Sequence, residues 1–177
     1  MRFFDNLLAW LVDYLIPPKF SFRSDRLAYH PLHRDEVPAL CSLITLACVT
    51  EMSPDGRDLR DPMIFRGAQT CWYVARCGDE IVGFIGFRGG SFGFWIAPQH
   101  RRRGYASEMV GAFMTHPVFA SVMQSAGCFE DNVASRKILE RSNLVEDKRM
   151  PLQSRLLPEP RMAVFSSRDL RCRLQVV

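Results

Sequence analysis

The chain is 177 residues long, with 47% hydrophobic and 24% charged positions, a balance that buries a core and excludes a disordered, collagen-like or low-complexity chain. At a usual domain size of roughly 150 residues, that length predicts one domain with a short appendage. Lys and Arg outnumber Asp and Glu 23 to 19, a net charge of +4, well below that of a dedicated nucleic-acid coat protein.

Residues 3–16 place Phe3, Phe4, Leu7, Leu8, Leu11, Val12 and Leu15 on one helical face and Asp5, Asn6 and Asp13 on the other. An acidic polar face does not suit an anionic membrane surface. The helix is expected to pack on its own domain or on a second copy, which would make a homodimer. Pro17 and Pro18 end it, and a short polar linker runs to Asp25. The expected division is therefore 1–24, an amphipathic helix and linker, and 25–177, the main domain. A single Arg2, an acidic Asp13 inside the apolar stretch and no small-x-small site before Pro17 do not make a secretory signal. The longest uncharged run, 109–129, is interrupted by His116, Pro117 and Gln124 and is not read as a membrane span. A cytoplasmic protein is expected.

A first strand is expected at 27–32, then a helix capped by Asp35 with Val37, Leu40, Cys41, Ile44, Ala47 and Cys48 on one face. Residues 51–67, rich in Asp, Arg, Pro and Gly, read as a loop with one helical turn at most. Strands at 72–77 and 80–87 flank the hairpin signal Gly78-Asp79, and Gly89-Gly90 leads to a third at 92–97, an antiparallel meander. Ala106, Met109, Val110, Phe113 and Met114 mark a helix from about Gly104, closed by Pro117. A strand at 121–129, a helix from the N-cap Asn132 to about Arg141, and strands at 144–150 and 162–166 follow. The order β, α, βββ, α, β, α, ββ predicts an α/β chain, more narrowly α+β, with a sheet of mixed direction.

The six cysteines, Cys41, Cys48, Cys71, Cys77, Cys128 and Cys172, form no C-x-x-C pair, and the four histidines stand at no metal-ligand spacing. Reduced cysteines and no metal are expected. The chemistry concentrates in 94–107, where a strand ends at Pro98, a basic turn follows and a helix begins near Gly104. The first N–H groups of a helix lack internal partners and carry the positive end of its dipole, so Arg101, Arg102 and Arg103 repel one another there unless an anion sits among them. This argues for a phosphate site, with Gly104 allowing close backbone approach. A solvated basic turn is the alternative reading of the arginines alone. No G-x-x-x-x-G-K-S/T loop is present, and Gly83, Gly86, Gly89 and Gly90 open no helix, which removes nucleotide-loop readings.

Arg101-x-x-Gly104-x-Ala106, following Ile96-Ala97-Pro98, resembles the R/Q-x-x-G-x-G/A acetyl-coenzyme A signature of the GNAT N-acetyltransferase superfamily. Asn132-x-x-Ser135-x-x-x-Leu139, running to Asn143-Leu144, resembles the N-x-x-S-x-x-x-L-x-x-x-G-F segment of its ribosomal-protein N-terminal acetyltransferase branch, and Val164 to Asp169 resembles that branch weakly. The similarity covers 25–169. It implies a GNAT-type, mainly antiparallel sheet flanked by helices, with the N-terminal helix as an addition. It implies acetyl-CoA as cosubstrate, pantetheine on the backbone of Trp95 and Ile96, and pyrophosphate on the amides of Arg101, Arg102, Arg103, Gly104, Tyr105 and Ala106. Asn132 would bond pantetheine or substrate, besides capping its helix.

The activity so implied is N-acetylation of a primary amine, a protein N-terminus ahead of a small molecule, by direct attack in a ternary complex. The acidic residue that often opens the strand before the proline is here Ser91. Glu130 and Asp131, beside Asn132, are the replacement bases, with Glu130 preferred and favourable charge at a helix N-terminus as their other reading. His100 and Glu51 are reserves, and Ser135 is the candidate acid for the departing thiolate. A Cys128 acyl-enzyme is the minority route. An inactive coenzyme A-binding or protein-interaction module on the same fold is the alternative that Ser91 favours. Seven Lys or Arg between 148 and 177 face two acids there, a basic end that would attract an acidic or RNA-associated substrate. Without interleaved aromatics it argues little for nucleic acid.

Overall fold

In the computed structural model the residues described are 20–52, 58–66, 71–88, 90–120, 123–152 and 159–168. The expected helix at 3–16 lies outside them. Among the described residues eight strands form one sheet in the order β1-β2-β3-β4-β5-β6-β8-β7. They are β1 (Phe22–Arg23), β2 (Ala28–Pro31), β3 (Cys71–Cys77), β4 (Glu80–Arg88), β5 (Ser91–Ile96), β6 (Ser125–Phe129), β7 (Leu144–Leu152) and β8 (Arg161–Arg168). All neighbours are antiparallel except β5 and β6, which run parallel.

The meander at the centre follows from its turns. Gly78 at φ 59° and Gly90 at φ 80° supply the left-handed backbone that tight hairpins require. The sequence left out β1. Phe22 lies in what reads as a polar linker, yet its ring meets Tyr29 and Phe113 at 4.8 Å each, and Phe20 C=O accepts the Tyr73 hydroxyl at 3.3 Å. Aromatic burial, which a two-residue strand cannot announce by periodicity, draws the segment into the sheet.

The helices are α1 (Val37–Leu43), α2 (Leu46–Met52), α3 (Tyr105–Thr115), α4 (Pro117–Ala120) and α5 (Val133–Arg141). The single helix expected over 35–48 is two, because Ile44 turns extended at φ −96°, ψ 111° and Thr45 restarts the chain by accepting the Cys48 N–H on its hydroxyl at 3.3 Å. Leu40, Ile44 and Cys48 remain buried on one core all the same. Asp35 is not the cap of α1. That position is Glu36, whose carboxylate is turned back to His30, His33 N–H and Arg76 and so ties α1 to β2 and β3. The expected loop at 51–67 holds a 3-10 turn, Pro62–Arg66. Pro117 closes α3 by opening α4, where its fixed φ suits a first helical position.

The sheet separates two cores. On one face α3, α4 and α5 cover Tyr29, Ile85, Phe87, Phe92, Ile96 and Cys128. On the other, α1, α2 and the 3-10 turn cover Phe84, Trp95 and Ala97.

Candidate active site

β5 and β6 pair only at Ser91↔Ser125 and Phe92↔Ala126. Beyond those residues the parallel strands diverge, and the sheet opens between Ile96 and Phe129. Ala97 N–H donates to Val82 C=O at 2.9 Å, and the register pairs Phe84 with Trp95. Antiparallel alternation then commits the backbone of Trp95 to β4 and turns the N–H and C=O of Phe94 and Ile96 toward the opening. Phe94, Trp95 and Ile96 all border the cleft. The Trp95 side chain is buried on the far face, stacked on Phe84 at 5.4 Å.

The opening leads into a cleft of ≈ 680 Å³ whose walls are β5, the turn after it, the first turns of α3 and α5, and Arg161 of β8. Gly104 stands at φ 81° before α3 with no side-chain cap. The amides of the first turn of α3 therefore keep their donors for a ligand, at the positive end of an 11-residue helix. Arg102 joins the same turn at φ 61°, a conformation that non-glycine residues hold only when neighbours dictate it. Arg101 Nε donates to Ile96 C=O at 3.2 Å. Arg26 Nη1 braces the turn from outside, donating to Arg103 C=O at 2.9 Å, and its guanidinium lies 4.8 Å over the Tyr105 ring.

Across the cleft, Asn132 caps α5 by accepting Ser135 N–H at 3.1 Å, as its position in the sequence predicts. Asp131 takes both of its contacts from Arg161 Nη2, at 2.5 and 2.6 Å, and that guanidinium sits 4.0 Å over the Phe129 ring. Glu130 is held by Arg149 on β7. Cys128 is buried, and burial first of all pushes its thiol up to about 11, Asp131 and Glu146 adding to the rise and Arg136 opposing it.

Of the residues singled out from sequence, Trp95, Ile96, Arg101, Arg102, Gly104, Tyr105, Ala106, Asp131, Asn132 and Ser135 line one cleft, while Arg103 and Glu130 do not. His100 also lines it and is buried. Lys137, Arg141 and Arg161 are wall residues the sequence reading missed. The first two had a signal, since Ala134, Lys137, Ile138 and Arg141 fall on one face of a helix. Arg161 had none, because only the pairing of β8 with β6 brings it to Asp131.

A parallel splay at the centre of an otherwise antiparallel sheet, with an uncapped helix N-terminus at its mouth, defines a class of acyltransferase. The acetyltransferase (GNAT) domain family matches residues 26–145, and the chain belongs to that family. No curated protein matches it. Among solved structures it is similar to the ribosomal L7/L12 α-N-protein acetyltransferase RimL in complex with coenzyme A, with a TM-score of 0.68 at 17% identity over 84% of this chain and 97% of that one. The Salmonella typhimurium acetyltransferase that modifies the N-terminal serine of L7/L12 superposes at 0.68, with 19% identity over 82% and 95%. The microcin C7 self-immunity acetyltransferase MccE, in complex with acetyl-CoA and AMP, superposes at 0.65, with 12% identity over 82% and 93%.

Proposed function

We propose that the protein transfers an acetyl group from acetyl-CoA to a primary amine, a protein N-terminus ahead of a small molecule, by direct attack within a ternary complex. The observation that carries this reading is the splay of β5 from β6 with the uncapped first turn of α3 at its end. The residues fit acetyl-CoA. The α3 amides and the Arg101–Arg102 turn suit a pyrophosphate, and the Phe94 and Ile96 backbone groups suit the amides of pantetheine. The RimL complex with coenzyme A and the MccE complex with acetyl-CoA and AMP are similar in fold to this chain.

When bound, the cosubstrate supplies a thioester carbonyl activated for attack by an amine. An α-amino group of pKa about 8 is mostly protonated at neutral pH and an alkylamine of pKa about 10 almost wholly, so a base must take a proton before the C–N bond forms and the C–S bond breaks. Glu130 and Asp131 were the candidates. Only Asp131 borders the cleft, so the proton is assigned to Asp131, with Arg161 orienting its carboxylate. Ser135, one turn into α5 on the same wall, donates its hydroxyl proton to the departing thiolate and regains one from the nitrogen that has formed the C–N bond. Burial keeps Cys128 a thiol, which argues against the acyl-enzyme route.

The test is free-thiol release from acetyl-CoA over N-terminal peptides, polyamines and aminoglycosides, with calorimetric binding measured in parallel. Turnover with one amine class, lost in Asp131→Asn and retained in Glu130→Gln, is the expected result. Tight acetyl-CoA binding without turnover on any amine would favour the inactive binding module, and absence of binding would overturn the reading.

A further inference from the structure

β5 is the fifth of eight strands, yet Gly93 at its centre is solvent-exposed on the face carrying α1 and α2. A Cβ built on Gly93 meets nothing within 4 Å. The surroundings are the opposite. Gly86, paired with Gly93 from β4, lies under the Trp72 ring, whose carbons stand 2.4 Å from a Cβ there. Gly127 on β6, level with Gly93 one step beyond the Phe92↔Ala126 pair, lies under the Phe165 ring, with carbons 2.9 Å from its Cβ. Three adjacent glycines therefore floor one row of the sheet. The outer two are roofed by aromatic rings and the middle one is open.

The open position belongs to a trough. On the same face of β5, Ser91 precedes Gly93 and the buried Trp95 ring ends the run on the side of the splay, about 13 Å at 3.3 Å per residue. The two glycines under the rings lie two strand spacings apart, about 10 Å where the strands pair, a width that suits one extended chain. One end is the splay, where the acyl group would be presented. The other end is polar, since Ser91 pairs with Ser125 and Ser125 with Ser167, whose hydroxyl donates to Asp147 at 2.6 Å. Arg88, opposite Ser91, and Lys148, opposite Phe165, share that end with the Asp147 carboxylate.

We infer that an extended polypeptide N-terminus reaches the thioester by lying along this trough with its main chain over Gly93, and that the missing side chain at 93 determines which acceptors enter. This rests on the acetyl-transfer reading and names its substrate class. A glycine within a strand interior suits a place where another backbone comes close. Serine hydroxyls pair with the peptide groups of an extended main chain.

The test uses Gly93→Val, which the backbone and the open space accommodate, with Gly93→Ala as a milder variant. Titration of a neutral hexapeptide into each protein saturated with coenzyme A is followed by indole fluorescence, because Trp72 and Trp95 flank the trough. The expected result is binding to the wild type, weakened at least about tenfold in Gly93→Val, with acetyl-CoA affinity and melting temperature unchanged and the peptide KM raised in proportion. Binding without turnover would keep the trough and remove the enzymatic reading. Equal peptide affinity in Gly93→Val, no peptide binding to the wild type, or a polyamine bound in preference to every peptide would overturn the inference.

Discussion

Arg26 holds Glu108 with its side chain and its backbone at once. Its Nε donates to Glu108 Oε2 at 2.7 Å and its N–H to Oε1 at 2.8 Å, while Nη1 reaches on to Arg103 C=O. The turn before β2 therefore fixes the first turn of α3 against the backbone that would cradle a pyrophosphate, although neither residue lines the cleft. Arg26→Ala removes charge-assisted bonds at this brace. It should weaken acetyl-CoA about tenfold, roughly 1.4 kcal/mol, without altering the acceptor KM. Calorimetry separates this from a catalytic role.

The same brace carries a pH signature. Burial opposes ionisation of Glu108, but hydrogen bonds from Ser24 and Arg26, with the charge of Arg26, outweigh it and hold the carboxyl below its ordinary value. A depressed carboxyl stabilises the fold fully above the ordinary glutamate range, and the contribution is lost as pH falls through the lower folded value. The melting temperature of the wild type should therefore drop more steeply with acidification than that of Glu108→Gln. Parallel curves would show that the brace is not titrating.

Gly104 needs its glycine for backbone reasons. At φ 81° an L side chain costs about 1–2 kcal/mol, and a Cβ would stand 3.3 Å from Arg26 Nη2. Gly104→Ala should lower the melting temperature by several degrees and weaken acetyl-CoA further than Arg26→Ala does. An unchanged melting curve would mean that the turn relaxes at no cost.

The features legible in the sequence are those written in contiguous residues. Gly78-Asp79 marks its hairpin, Asn132 its cap, and the run from Pro98 through Gly104 the turn and helix start that line the cleft. The break at Ile44 was invisible because periodicity reports which residues share a buried face, and Leu40, Ile44 and Cys48 share one across two helices. Glu130 and Asp131 could not be told apart, since adjacent residues point apart by an amount that only their partners, Arg149 and Arg161, decide. Those partners come from β7 and β8, across a sheet whose order no local pattern encodes.

Cys128 offers a check on mechanism. With its thiol pushed up to about 11, the reactive thiolate is about one part in ten thousand at neutral pH. Cys128→Ala should keep kcat within about twofold, with a modest loss of stability from the small buried void. Capture of an acetylated Cys128 during turnover would instead restore the covalent route.

The three glycines of the row Gly86, Gly93 and Gly127 should separate in stability, because what a methyl group meets differs at each. At Gly86 it meets the Trp72 ring at 2.4 Å, and that ring is wedged against Phe65 and Phe84 at 5.0 and 5.4 Å, so Gly86→Ala should cost about 1–3 kcal/mol by overpacking. At Gly127 the obstacle is Phe165 at 2.9 Å, a half-buried ring with room to swing outward, and the cost should be smaller. At Gly93 nothing is met, and alanine in an extended strand should be neutral or slightly stabilising. Thermal melts of the three variants should therefore rank Gly86→Ala lowest, Gly127→Ala next and Gly93→Ala level with the wild type. A Gly93→Ala protein as unstable as Gly86→Ala would mean that something of this chain already fills the trough, leaving no room for an acceptor there.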